Sequence, residues 1–269
     1  MKTFAVIFLF CSLALFGQNE LRVVPVKKTP ESETVATKII FPRPYEVKMS
    51  SPLNVQLRVE GFPLGVMTEG ERAKEIYNSP QGQSIHVILD QEPYQLFTEL
   101  SEDSFDENRG FYDRMVSFSL SNLSPGMHTL RLFPARSYGE SLKGEGTFAA
   151  QIFYFQEKDQ KEGAEVDLSK PFLTYNEPQG VYHREEPILL DFLLSNCELS
   201  ENGFKVLLKV DGKEVERLAK SAPFYLYGLS SGKHLIELEL LDHEDKVVPG
   251  IFNVTKREIE IISTVKNPA

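Results

Sequence analysis

Leu123-Ser124-Pro125-Gly126-Met127-His128-Thr129-Leu130-Arg131-Leu132 returns later in the chain as Leu229-Ser230-Ser231-Gly232-Lys233-His234-Leu235-Ile236-Glu237-Leu238. Each copy reads as a glycine-bearing turn followed by alternating side chains. Alternation of that kind puts every second residue on one face, the pattern of a half-buried strand. The flanks repeat in pattern as well, so the chain reads as two copies of one β-unit.

Working outward, the copies align strand by strand. Residues Pro52 to Val59 match Pro187 to Leu194, and Ser84 to Asp90 match Phe204 to Asp211. Residues Val116 to Leu120 match Phe224 to Gly228, and Thr147 to Phe155 match Phe252 to Ile261. First strands are expected around Ile39 to Met49 and Phe172 to Tyr175. Asp211-Gly212, set between Leu207-Leu208-Lys209-Val210 and Lys213-Glu214-Val215, signals a tight hairpin, because both central residues of such a turn take positive φ. Roughly seven short strands per copy predict an all-β chain of two sandwiches.

The Leu-Ser-x-Gly-x-His-x-Leu-x-Leu phrase, followed by a strand, a loop and a last strand, resembles the C-terminal half of bacterial immunoglobulin-like and fibronectin-III-like domains. The resemblance covers both copies. It implies two tandem immunoglobulin-like β-sandwich domains. The chain has no Trp, and no cysteine pair remains once the first residues are set aside, so the antibody-type core signature is missing. Folds of this kind host adhesion, carbohydrate binding and plain spacing, so the resemblance transfers no activity.

The N-terminus reads as a secretory signal. Lys2 is followed by an apolar run from Phe4 to Phe16 and by small Gly17. The expected organisation is a signal peptide at 1–17, a flexible tether at 18–38 and a first domain with expanded loops at 39–156. A charged linker at 157–170, a second domain at 171–263 and a tail at 264–269 complete it. This makes the protein exported, to the periplasm, the cell surface or the medium, with no integral membrane span after signal cleavage. Cys197 is the cysteine left in the mature chain, which excludes an intramolecular disulfide and suits a bacterial envelope protein. With 29 basic and 39 acidic residues and a net charge of −10, the chain lacks the basic face that nucleic acid demands.

The copies differ in their loops. Phe62 to Gln83, Leu100 to Arg114 and Pro134 to Gly146 are longer than their counterparts. Antiparallel alternation places all three at one end of the first sandwich, where loops build binding surfaces. That end offers Tyr77, Arg109, Tyr112, Arg136 and Tyr138, residue types that dominate interaction hot spots. They are the candidate binding residues, for a protein or glycan partner.

No chemistry-bearing motif stands up as well. Gly228-Leu229-Ser230-Ser231-Gly232 matches the nucleophile elbow, but that motif needs a strand–turn–helix context, and the residues after it alternate as a strand. His128 and His234 occupy equivalent places in separate units, so they are not joint ligands of a metal. The acidic loop Asp103 to Gly110 departs from the calcium-loop pattern at Phe105. The sequence therefore predicts a non-enzymatic binding protein without cofactor or metal. The alternative is a structural or assembly component of the envelope whose edge strands pair with a neighbour.

Overall fold

The computed structural model describes residues 20–32, 34–101, 105–106, 111–112, 115–158 and 166–263. The expected signal peptide and C-terminal tail lie outside the described residues, as do residues 159–165 of the expected linker.

In chain order, β1 is Arg22–Pro25, β2 Ala36–Phe41, β3 Val47–Lys48, β4 Leu53–Glu60, β5 Ser84–Leu89 and β6 Gln95–Phe97. A small hairpin, β7 Phe105–Asp106 and β8 Phe111–Tyr112, precedes β9 Met115–Leu120, β10 Gly126–Ala135 and β11 Ala149–Phe155. The second copy contains β12 Phe172–Glu177, β13 Gly180–His183, β14 Ile188–Ser195, β15 Lys205–Val210, β16 Lys213–Leu218, β17 Phe224–Tyr227, β18 Gly232–Leu241 and β19 Val254–Ile262. One short helix, α1 Arg72–Glu75, sits in the β4–β5 connection.

The two copies fold alike. In the first, sheet β2-β4-β9 faces sheet β3-β11-β10-β5-β6; in the second, β12-β14-β17 faces β13-β19-β18-β15-β16. These are immunoglobulin-like, fibronectin-III-like sandwiches, each closed over its own apolar core. Val55, Leu57, Leu130, Leu132 and Phe153 centre the first core, and Leu190, Leu208, Leu226, Ile236 and Leu238 centre the second.

The repeated phrase has one structural job in both copies. His128 Nδ1 meets Asp90 Oδ2 at 2.8 Å and its Nε2 meets the Ser124 carbonyl at 2.7 Å, while the Thr129 N–H donates to Asp90 Oδ1 at 2.7 Å. In the second copy His234 meets Asp211 Oδ2 at 2.7 Å and the Ser230 carbonyl at 2.9 Å, and the Leu235 N–H donates to Asp211 Oδ1 at 2.8 Å. Each aspartate sits at a hairpin with φ near +50° (Asp90 52°, Asp211 51°), a conformation in which Asp is tolerated because its side chain bonds locally. The histidine thus clasps two turns at one end of its sandwich.

Two features depart from the expected row of a tether and two linked domains. First, the described residues of the expected tether at 18–38, namely 20–32 and 34–38, include strand β1 and the start of β2 and do not form a free tether. Arg22–Pro25 pairs antiparallel with Tyr227–Phe224 and becomes an added edge strand of the second sandwich, in the order β1-β17-β14-β12. The chain then crosses to the first sandwich. Lys27 O accepts from Arg72, Thr29 donates to Glu140, and Glu31 accepts the backbone N–H groups of Lys143 and Gly144. Composition around this segment is polar and proline-bearing, and the strand's partner is remote in sequence, so no local pattern marks it.

Second, the sandwiches pack sheet against sheet. Ile85 and Val87 of β5 and Leu130 and Leu132 of β10 point into the first core, whereas His86, Ile88, Arg131 and Phe133 face the second sandwich. From the other side, Leu189, Asp191 and Leu193 of β14 and Tyr225 of β17 face the first. Ile188 to Leu193 are therefore all buried. A strand covered on both faces loses its polar alternation, which is why ILLDFLL reads as an almost unbroken apolar run.

Candidate functional site

The interface between the sandwiches is polar at several buried points. Asp191, fully buried, accepts from Ser141 N–H at 3.1 Å, Ser141 Oγ at 2.5 Å, Asn176 Nδ2 at 2.7 Å and the Lys143 ammonium. A buried carboxylate is tolerated when it is paired and its lone pairs are filled. His86 Nδ1 donates to Asn176 Oδ1 at 2.8 Å, and Asn176 Nδ2 also donates to Gly139 O at 2.7 Å. The Arg131 guanidinium donates to Leu173 O and Thr174 Oγ1 and stands 3.9 Å from the Phe252 ring centroid. Burial lowers its pKa to about 9.

Along one margin this interface opens into a cleft of about 530 Å³, within the range of about 300–1,000 Å³ typical of ligand sites. The first sandwich contributes Tyr77, His86, Tyr94, Leu96, Arg136 and Tyr138, and the second contributes Glu177, Gln179, Val181, Tyr182, His183 and Glu186. Tyr94 stacks on His86 with ring centroids 3.7 Å apart. Its hydroxyl donates to Glu177 Oε1 at 2.6 Å, and Glu177 Oε2 accepts from Tyr182 OH at 2.8 Å and Gln179 N–H at 2.8 Å. Burial pushes the Glu177 carboxyl up to about 7 and the His86 imidazole down to about 4. The Gln179 side chain reaches the Tyr94 carbonyl with Nε2, while its Oε1 is buried without a donor.

The expected binding residues divide. The three expanded loops do leave one end of the first sandwich, since Ala135 pairs with Ser84, Phe97 with Ile85, and Met115 with Arg58. Two of those loops fold onto the second sandwich, however. Tyr77 is 67% exposed at the mouth of the cleft. Arg136 lines it with a guanidinium already engaged by Pro30 O. Tyr138 is buried against Ile76, Leu189 and Tyr225, with its hydroxyl 3.0 Å from Thr29 Oγ1, so it holds the sandwiches together. Arg109 lies outside the described residues. Tyr112 is described only as a backbone partner of Phe105. Tyr94, Leu96, Glu177, Gln179, Val181 and Tyr182 were not legible as a site, because they come from both sandwiches and share no sequence motif. The available hint was the loss of alternation in β14, which says that something covers its second face.

The serine, histidine and aspartate of the second clasp imitate a hydrolase. Ser230 Oγ stands 3.4 Å from His234 Nε2, and the glycine-serine motif surrounds it. Yet Nε2 faces the Ser230 carbonyl at 2.9 Å, closer than the hydroxyl, so the ring is directed at the turn's backbone and not at the serine Oγ. The segment runs from β17 into β18, not into a helix. Burial pushes the Cys197 thiol up to about 11, away from the reactive thiolate. Among the described residues no cluster of His, Cys, Asp and Glu is arranged to hold a metal ion, and no helix is long and apolar enough to cross a membrane.

No protein-family model and no curated protein matches this chain. Solved structures do share its architecture at low similarity. The fibronectin(III)-like modules of Clostridium thermocellum CbhA are 11% identical, with 87% of this chain and 97% of that chain covered and a TM-score of 0.30. The central fibronectin-III array of RIM-binding protein is 9% identical, with coverage of 87% and 71% and a TM-score of 0.26. Invasin, a bacterial integrin-binding protein, is 10% identical over 86% of this chain and 39% of that one, with a TM-score of 0.23. Likeness at this level carries no argument about function. The strand order and the two cores described above establish an all-β chain of immunoglobulin-like, fibronectin-III-like sandwiches.

Proposed function

We propose that this chain is an exported, non-enzymatic binding protein that takes a protein or glycan partner in the cleft between its two domains. One observation carries the reading: exposed side chains from both domains, Tyr77, Leu96 and Val181, surround a buried polar floor in which Gln179 Oε1 lacks a donor. An apolar rim over a few convergent polar groups is the usual composition of a ligand site. The expected loop-borne site thereby becomes one wall of a two-walled cleft. Export rests on the Lys2 and Phe4 to Phe16 pattern.

The non-enzymatic part is supported by the engagement of the reactive groups. Both oxygens of Glu177 are held by hydroxyl and N–H donors, His86 is committed to Asn176, and Ser137 Oγ donates to Asn78 at 2.5 Å. No nucleophile–base pair is formed by these groups.

The test is a screen of the labelled full-length mature protein on arrays of oligosaccharides and peptides, repeated with the Tyr77→Ala/Val181→Ala double variant. Both positions are exposed, so stability should stay within about 0.5 kcal/mol of wild type. Ligands of the wild type should lose at least tenfold in affinity. Undiminished binding by the double variant, together with loss on Tyr112→Ala, would move the site to the far loop and overturn the reading.

A further inference from the structure

The cleft is flanked by two sheet edges. β6 is the terminal strand of its sheet, paired with β5 through Ile85↔Phe97, His86↔Leu96 and Val87↔Gln95. β13 is the terminal strand of its sheet, paired in parallel with β19 from Gly180↔Ile259 to His183↔Ile262. Among the described residues no further strand pairs with either outer edge. Leu96 on β6 and Val181 on β13 both line the cleft, 44% and 59% exposed. An open edge offers N–H and C=O groups in a row, a template for an added strand. The hydroxyls of a sugar do not repeat at the spacing of such a row, whereas an extended peptide matches it group for group.

The molecule already uses this mode of binding on a third edge. Arg22–Pro25 lies along β17 as an added strand, and Val26 N–H continues the ladder to Pro223 O at 2.9 Å. That segment arrives from outside the sandwich it completes, so one edge of the second sandwich, that of β17, holds an added extended strand.

The polar chemistry of the cleft selects further. Two acceptors of the lining are open to a ligand, the buried Gln179 Oε1 and the exposed Glu186, whereas both oxygens of Glu177 already have donors. Arg136 adds a cation to the same lining, with Nη2 donating to Pro30 O. A ligand that fits supplies N–H donors along its length and a cationic side chain toward the floor. Charged donors are the stronger partners for such acceptors.

We propose that the occupant of the cleft is an extended polypeptide segment of a partner protein, added as a strand along β13, with apolar side chains against Tyr77, Leu96 and Val181 and a lysine or arginine toward Gln179 and Glu186. This deepens the binding reading given above and rests on it. Backbone pairing would set affinity and the alternate side chains would set specificity, as is general for strand addition.

The experiment uses the full mature chain and two probe sets: eight-residue peptides with Lys, Glu or Ala scanned through each position, and neutral oligosaccharides. Binding is read by fluorescence polarisation, with far-UV circular dichroism confirming the fold of each variant. Lysine-bearing peptides should bind, and Leu96→Lys/Val181→Lys should weaken them at least tenfold. N-methylation of alternate peptide amides should abolish binding in one phase and spare it in the other, a signature that side-chain docking alone does not give. Peptide binding insensitive to the phase of N-methylation would overturn strand addition. Binding of oligosaccharides but not peptides, lost on Tyr77→Ala, would overturn the peptide while leaving the cleft as the site. Binding of either class that survives Tyr77→Ala, Leu96→Lys and Val181→Lys together would overturn both readings.

Discussion

The hydroxyl of Tyr94 donates to Glu177 Oε1 at 2.6 Å, a bond that joins the β5–β6 hairpin of the first sandwich to the end of β12 in the second. The same tyrosine ring stacks on His86, whose Nδ1 is bonded to Asn176, the neighbour of Glu177. A tyrosine between two buried titratable groups thus links the sandwiches at the floor of the cleft.

Tyr94→Phe keeps the ring and its stacking but removes the donor. The Glu177 carboxyl then loses one of its three partners in a buried site. The expected loss of stability is about 1–3 kcal/mol, the cost of leaving a buried acceptor unsatisfied. Urea denaturation of the variant against wild type measures it, and an unchanged midpoint would show that the bond is replaced by water at no cost.

Glu177 and His86 give opposite pH dependences. The folded state keeps the Glu177 proton up to about pH 7, whereas the unfolded chain releases it near 4.5, so this group's stability contribution falls as pH rises from 4.5 to 7. The folded state refuses a proton on His86 until about pH 4, whereas the unfolded chain takes one near 6.5, so this contribution grows as pH rises from 4 to 6.5. Each effect is on the order of 3 kcal/mol, and they nearly cancel between pH 4.5 and 6.5. Removing one should unmask the other. Glu177→Gln is expected to gain stability steadily from pH 4 to 6.5, and His86→Gln to lose it from 4.5 to 7. Denaturation series across that range, with parallel slopes in both variants, would refute the assignment.

Deleting residues 18–26, so that the chain begins at Lys27, removes β1 and bares the edge of β17. Loss of the strand's pairing and of Val23 from the second core should lower the melting temperature by roughly 3–8 °C, given about 2–4 °C per kcal/mol for a chain of this size. The uncovered edge should also promote association. Light scattering across a concentration series checks the second outcome, and a monomer with wild-type melting would show the strand to be dispensable.

Much of the fold was readable in the residues. The repeated Leu-Ser-x-Gly-x-His phrase set the register of the copies, and Asp211-Gly212 marked a hairpin that the structure closes with positive φ at both residues (51° and 76°). The expanded loops of the first copy were also visible as loops. Their destination was not. Tyr138 has the composition of a contact residue, and it is one, but its contact is with Leu189 and Tyr225 of the same chain.

What the sequence by itself determined is the strands, their alternation, and the fact of two like sandwiches, because a period of two reports which side chains leave water over a few residues. Tertiary structure alone decided that the outer face of β5–β10 meets the outer face of β14–β17, that Arg22–Pro25 belongs to the far sandwich, and that Tyr94 reaches Glu177. The physical reason is that burial leaves the same apolar mark whether the cover comes from a partner sheet or from another sandwich. The groups that meet in the cleft lie in segments remote from one another in sequence, where no local pattern connects them.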